Sequence, residues 1–110
     1  MTMQISEALS ADIRRVVDVV LAEDVGSGDL TAALVPDDAT VEAGILCREP
    51  MVLAGRPWVD ALFARLDPGI RIDWRYADGD RVPADTTICR ISGPARPILS
   101  GERGALNLLQ

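Results

Sequence analysis

A chain of 110 residues makes one domain with a modest core and is small for a complete enzyme. Its 48% apolar content suits a globular fold, and with 4% aromatic residues that core must be mostly aliphatic. The formal charge of −6 argues against nucleic acid or an anionic membrane as partner. All the basic residues are Arg, and the absence of Lys and His removes Schiff-base, imidazole and lysine-borne biotinyl or lipoyl chemistry from this segment.

From the N-terminus, Ile13, Val16, Val17, Val20 and Leu21 recur at helical spacing, with Ser10 placed to cap and "GSG" at 26–28 to end the helix. "DLTAALVPDDAT" reads as a short capped turn and a Pro/Asp loop. "VEAGILC" alternates Val41, Ala43, Ile45 and Cys47 on one side, the period of a half-buried strand, and "MVLAG" follows as a short second strand. Pro57 then opens a helix with a Val59, Leu62, Phe63 and Leu66 stripe, ended by "DPG" at 67–69. "IRIDWRY" sets Ile70, Ile72, Trp74 and Tyr76 against Arg71, Asp73 and Arg75, and "ADGD" turns the chain.

"TTICRIS" and "ARPIL" read as two more extended segments divided by Gly93-Pro94. Last comes an amphipathic helix in "SGERGALNLLQ", with Ser100 as N-cap and Glu102 at the positive end of the dipole. Arg103, Asn107 and Gln110 form its polar stripe; Ala105, Leu106, Leu108 and Leu109 form the apolar side. It has a start signal and no stop signal, so a segment cut from a longer protein is expected. The whole predicts an α+β domain, an antiparallel or mixed sheet with helices packed on one face. No apolar run nears the ~18 residues of a membrane span, and the start lacks the features of a secretory signal, so a cytoplasmic location is expected.

Few residues offer chemistry. The carboxylates of "AED" at 22–24, Asp29, Asp37, Asp38, Asp78 and Asp80 sit beside Gly and Pro, where Asp serves turns, although a pair of them could act as acid and base. "GSGD" follows a helix, not a strand, and has no Walker lysine, so it is a weak phosphate-loop signal. Cys47 and Cys89 form no metal-binding or redox spacing and read as small core residues. "DGDRVPADTTICRISG" resembles the hairpin of biotinyl and lipoyl carrier domains in architecture only, because the carrier lysine is missing. Arg103 is placed to capture a carboxylate or phosphate with both arms of its fork; an ordinary surface arginine paired with an acid is the plainer reading.

Four blocks in order, "LAEDVGSGDLTAALVP", "EAGILCREPMVLAGRP", "LDPGIRIDWRYADGDRV" and "ISGPARPILSGERGALNLLQ", resemble the quinolinate phosphoribosyltransferase family, its N-terminal domain alone. The resemblance implies that residues 1–110 form a hammerhead-like α/β sandwich, cut at the helix leading into an α/β-barrel that this chain lacks. It also implies the reaction of quinolinate with phosphoribosyl pyrophosphate to nicotinate mononucleotide, pyrophosphate and carbon dioxide. Mg²⁺ is implied with the phosphoribosyl substrate, as is a homodimer or higher oligomer. "ERGALN" at 102–107 matches the family's "ERTALN". The match implies that Arg103 reaches across the dimer to a quinolinate carboxylate, while Glu102 and Asn107 serve the helix or interface. Gly104 departs from the family's Thr or Val, which loosens the expected helix start. "EDVGSGDLT" at 23–31 is another family signature, read as a sharp structural turn. No catalytic residue is expected within the segment, which alone is expected to be inactive. A related phosphoribosyltransferase with another acid substrate, or a non-catalytic β-rich binding or dimerisation module, are the alternatives.

Overall fold

The computed structural model describes residues 7–23 and 32–109. Alternation fixes the sheet. Along β1 (Thr40–Cys47), Val41, Ala43, Ile45 and Cys47 turn inward while Glu42, Gly44 and Leu46 face solvent. This strand pairs antiparallel with β5 (Thr86–Pro94), which also pairs antiparallel with β3 (Arg71–Trp74), giving the order β1-β5-β3. Ile45 lies opposite Cys89 but Leu46 opposite Thr87, so Ile88 is an extra, bulged residue. A bulge shifts the side-chain parity by one, and here it lets two successive residues, Ile88 and Cys89, both enter the core. The carbonyl of Ile88 accepts from the Arg75 N–H at 2.9 Å. On the sheet's other face stand Glu42, Arg71, Asp73 and Arg90, with Arg90 and Glu42 3.3 Å apart. Such exposed pairs add little stability; their value here is to keep that face wet.

The helices cover the inner face. In α1 (Glu7–Glu23) Ile13, Val17 and Val20 are buried, as their spacing predicts, but the helix starts before Ser10, which lies within it and cannot cap it. The predicted stop at 26–28 and most of the 23–31 signature lie outside the described residues. Next comes α2 (Arg56–Leu66), with Val59, Leu62 and Phe63 buried; Asp67 ends it by donating its N–H to the Phe63 carbonyl. Its N-cap, Gly55, has φ +101 and no capping side chain. The cap comes from afar: Asp78 accepts from the Arg56 N–H at 3.2 Å.

Asp78 reaches that point because the predicted 77–80 turn forms, with Gly79 at φ +93 and the Asp80 carboxylate accepting from the Ala77 N–H at 2.8 Å. The turn joins β3 to β4 (Arg81–Val82), which pairs with β2 (Met51–Val52) as a separate two-stranded sheet. β4 does not pair with β5, so the carrier-like hairpin is not formed, although Val82 is buried as that pattern expects. Phe63 is the one aromatic among the largest fully buried side chains, which are otherwise Leu53, Leu62, Val17, Val59, Val82 and Cys89. Burying a residue such as Phe63 contributes about 1.5–3 kcal/mol.

The last helix departs from expectation. "ARPIL" is not a strand: β5 runs unbroken to Pro94, and α3 (Ala95–Leu108) begins at once. Pairing decides the boundary, because Pro94 still sits opposite Thr40, and the next N–H, that of Ala95, donates to the Ala39 carbonyl at 2.9 Å. Pro97 falls in the first turn, where its missing N–H costs nothing. Ser100 is therefore mid-helix and 5% exposed, not an N-cap. The inner arc is Ala95, Ile98, Gly101, Gly104, Ala105 and Leu109, with Leu106 turned outward at 44% exposure, against the predicted apolar side. Glycine costs a helix interior roughly 1 kcal/mol relative to Ala. Gly101 offsets this through closeness: a Cβ there would lie 2.6 Å from Leu66 Cδ1 and 2.8 Å from Phe63 Cε1.

Candidate functional site

Arg103 stands on the outer arc of α3 with Leu99, Glu102, Leu106 and Asn107, all exposed or half-buried. It lies eight residues beyond Ala95, about 12 Å along the axis at 1.5 Å per residue. The dipole's influence fades within the first turn, so neither Arg103 nor Glu102 feels the helix end as the sequence suggested. The predicted polar stripe is kept by Arg103 and Asn107; Gln110 lies outside the described residues.

The Arg103 side chain makes no hydrogen bond or ion pair with any described residue. The plainer sequence reading, an arginine paired with an acid on this surface, finds no such acid among the described residues. Some arginines are engaged by the fold: Arg65 meets Asp18 at 2.7 Å, Arg15 meets Asp12 at 2.8 Å, and Arg96 donates to the Val35 carbonyl at 2.7 Å. Arg14, Arg48, Arg71 and Arg81, like Arg103, make no such contact with a described residue. One helical turn to either side of Arg103 stand Leu99 and Leu106. These two, with Leu46 of β1 and Glu102, rim an apolar groove of about 180 Å³ floored by Phe63, Ile91 and Ile98. Leu46 is 51% and Val52 59% exposed, and a second cleft of about 450 Å³ runs from Leu106 past Leu46 to Met51 and Val52. A guanidinium without a partner among the described residues thus rises from α3 beside exposed aliphatic surface. If another surface covers that patch, water is excluded and the fork's attraction for a carboxylate strengthens severalfold over its value in water.

A wider cleft of about 560 Å³ lies elsewhere, between α1 and the start of α2, lined by Arg14, Arg56, Asp60 and Asp78. Size is no guide here, because apart from Arg14 its charged groups are already occupied by the fold. Asp78 caps α2, Arg56 donates to the Tyr76 carbonyl at 2.8 Å, and Asp60 accepts from the Trp74 indole at 2.8 Å. The Arg56 guanidinium also lies 5.0 Å over the Trp74 ring. Sequence reading missed this cluster. The signal was Trp74 itself, whose half-buried indole N–H requires an acceptor.

Several remaining candidates resolve into structure, while Asp37 and Asp38 lie exposed after Pro36. Asp67, Asp78 and Asp80 bind backbone N–H groups in turns, as predicted for the last two. Asp24 and Asp29 lie outside the described residues, with the "GSGD" loop. Cys47 and Cys89 are buried free thiols: Cys47 donates to the Pro83 carbonyl at 3.0 Å, and burial pushes Cys89 up to about 11. Among the described residues no three His, Cys, Asp or Glu side chains converge as a metal site. No described helix is long and apolar enough to cross a membrane.

Residues 29–110 match the family described as quinolinate phosphoribosyl transferase, N-terminal domain. The chain is 38% identical over 101 residues to the chloroplastic carboxylating nicotinate-nucleotide pyrophosphorylase of Arabidopsis thaliana, covering 90% of this chain and 29% of that protein. It is 32% identical over 98 residues to the probable enzyme of that name from Bacillus subtilis, covering 89% of this chain and 34% of the relative. The solved nicotinate-nucleotide pyrophosphorylase of Francisella tularensis superposes with a TM-score of 0.86 at 37% identity, over all of this chain and 40% of that one. NadC from Streptococcus pyogenes superposes at 0.84 with 27% identity, over 99% and 38%. The chain therefore spans about a third of the length of these relatives.

Proposed function

This chain belongs to the family of quinolinate phosphoribosyl transferase N-terminal domains, and from that premise we propose that it lends Arg103 to the quinolinate site of a neighbouring subunit. The observation that carries the reading is the guanidinium of Arg103, without a partner among the described residues, on a helix beside exposed Leu46 and Leu106 and half-buried Leu99. In this proposal residues 1–110 are one domain of a larger enzyme. That enzyme makes nicotinate mononucleotide, pyrophosphate and carbon dioxide from quinolinate and phosphoribosyl pyrophosphate.

The chemistry fits an arginine in this position. Quinolinate is a pyridine dicarboxylate, and a planar fork can hold one carboxylate in two parallel charge-assisted hydrogen bonds. Fixing that group aims the ring nitrogen at the anomeric carbon, where displacement passes through a cationic, oxocarbenium-like state. The apolar rim docks on the neighbouring subunit and keeps water from the pair, so a homodimer or higher oligomer is part of the reading. Mg²⁺ enters with phosphoribosyl pyrophosphate and is held outside this segment. The segment alone is inactive, and its setting is cytoplasmic; relatives named chloroplastic and mitochondrial occur in Arabidopsis and tobacco.

Kinetics of Arg103→Ala in the two-domain enzyme test this. Loss of a charge-assisted contact is worth about 2–3 kcal/mol, so KM for quinolinate rises roughly 30- to 140-fold. KM for phosphoribosyl pyrophosphate stays nearly constant. Equal losses for both substrates would point to misfolding or dimer failure and reject the assignment.

A further inference from the structure

Arg103 and Gly101 are two positions apart in the helix, so they face in nearly opposite directions from α3. Gly101 faces α2 and Arg103 faces out. Gly101 admits Leu66 and Phe63 to within 2.6 and 2.8 Å of where a Cβ would stand. Seven residues on, the backbone of Leu108 lies against Gly55, where a Cβ would be 3.2 Å from the Leu108 carbonyl carbon and closer still to its oxygen. The end of α2 thus meets the first half of α3, and the start of α2 meets its last turn. The two helices run antiparallel, seated at two points where one of them has no side chain.

Arg103 lies between those points. A helix held near its middle and at its last residue has one height and one azimuth against its neighbour, and the Cα of Arg103 inherits both. We infer that Gly101 is a positioning residue for Arg103: it sets how deeply α3 sits on α2, and through that the reach and aim of the guanidinium. This rests on the reading of Arg103 as a quinolinate contact. An added methyl must move Leu66 and Phe63 or lift α3 by several tenths of an ångström, since real Cβ contacts closer than 3.0 Å do not occur. The Leu66 methyl is the free end of a flexible, half-buried side chain and can turn aside, but the Phe63 ring is 1% exposed and yields less readily, so its contact lifts the helix. A displacement of that order at a bidentate contact loses substrate selectively, because the fork geometry tolerates little misalignment.

The test uses the two-domain enzyme with Gly101→Ala, Leu66→Ala, both together, and Leu66→Phe, each checked for folding by circular dichroism. Gly101→Ala should raise KM for quinolinate at least fivefold and leave KM for phosphoribosyl pyrophosphate within twofold, on the order expected for a loosened charge-assisted contact. Leu66→Ala alone should be near neutral, and beside Gly101→Ala it should restore most of the quinolinate KM by vacating the contested space. If Gly101→Ala does not fold, Leu66→Phe, which pushes on α3 from a half-exposed position on the other helix, carries the same expectation. A lowered melting temperature with both KM values unchanged, or both raised alike, would make Gly101 merely structural and overturn the inference. Arg103→Ala separates the two ideas. If it leaves quinolinate KM unchanged, the contact itself is wrong; if it raises KM while Gly101→Ala and Leu66→Phe do not, only the positioning role fails.

Discussion

Gly55→Ala isolates the contact between α2 and the end of α3. Two penalties are expected. A non-glycine residue at φ +101 costs on the order of 1–3 kcal/mol in backbone strain. The methyl group would also press on the Leu108 carbonyl, a backbone group that cannot step aside as a flexible side chain can. Overpacking of this kind costs about 1–3 kcal/mol more. Gly79→Ala supplies the control, because Gly79 has a similar φ of +93 but nothing within 4 Å of the added Cβ. It therefore carries the strain without the collision. The entropy that alanine removes from the unfolded chain is common to both variants and cancels in their difference. Urea unfolding of the chain should place Gly55→Ala roughly 2–6 kcal/mol below the parent, and about 1–3 kcal/mol below Gly79→Ala, at unchanged m-value. That is a large share of the stability of a domain this size. Equal losses in the two variants would refute the reasoning, since the Leu108 contact would then add nothing.

Two further outcomes concern the core and its polar edge. The folded state holds the Cys89 proton more tightly than the unfolded chain does, because burial raises its pKa from 9.0 to about 11. That stabilisation is therefore complete below pH 9 and lost as pH climbs from 9 toward 11. The urea midpoint should fall across that window by at most the equivalent of about 3 kcal/mol, and a flat profile there would contradict the burial argument. Asp60→Ala removes the acceptor of the Trp74 indole N–H. It should cost about 0.5–1.5 kcal/mol in urea unfolding and alter the intrinsic indole fluorescence; an unchanged midpoint and spectrum would show that water replaces the carboxylate without loss.

Much of the fold was legible because alternation and helical spacing report burial directly. Val41 to Cys47 turned inward as their period required, and the Val59, Leu62, Phe63 stripe became the buried face of α2. The start of α3 was not legible, because local signals pointed the wrong way. Gly93 and Pro94 look like a break between strands, Ser100 looks like a cap, and Gly101 and Gly104 lower the helix propensity of the segment. Tertiary structure overrode all three: β5 pairs up to Pro94, and α3 needs its glycine at 101 to approach Phe63 and Leu66. The outward turn of Leu106 was hidden for the same reason, since a helical projection treats every Leu as inward when small residues are doing the burying. The position of Arg103 in the sequence was plain; its lack of a partner among the described residues was not, because pairing depends on which acids the fold brings near.

The claim that Arg103 serves a neighbouring subunit is tested most directly by mixed dimers. Subunits carrying Arg103→Ala are combined with subunits that keep Arg103 but have an inactivated barrel, and turnover is measured at a quinolinate concentration well below the KM of Arg103→Ala. Sharing across the interface predicts that activity returns on subunit exchange, to about a quarter of the wild-type value at equal mixing, since half the dimers are then mixed and each holds one complete site. Activity no greater than the sum of the two separate parents would contradict it.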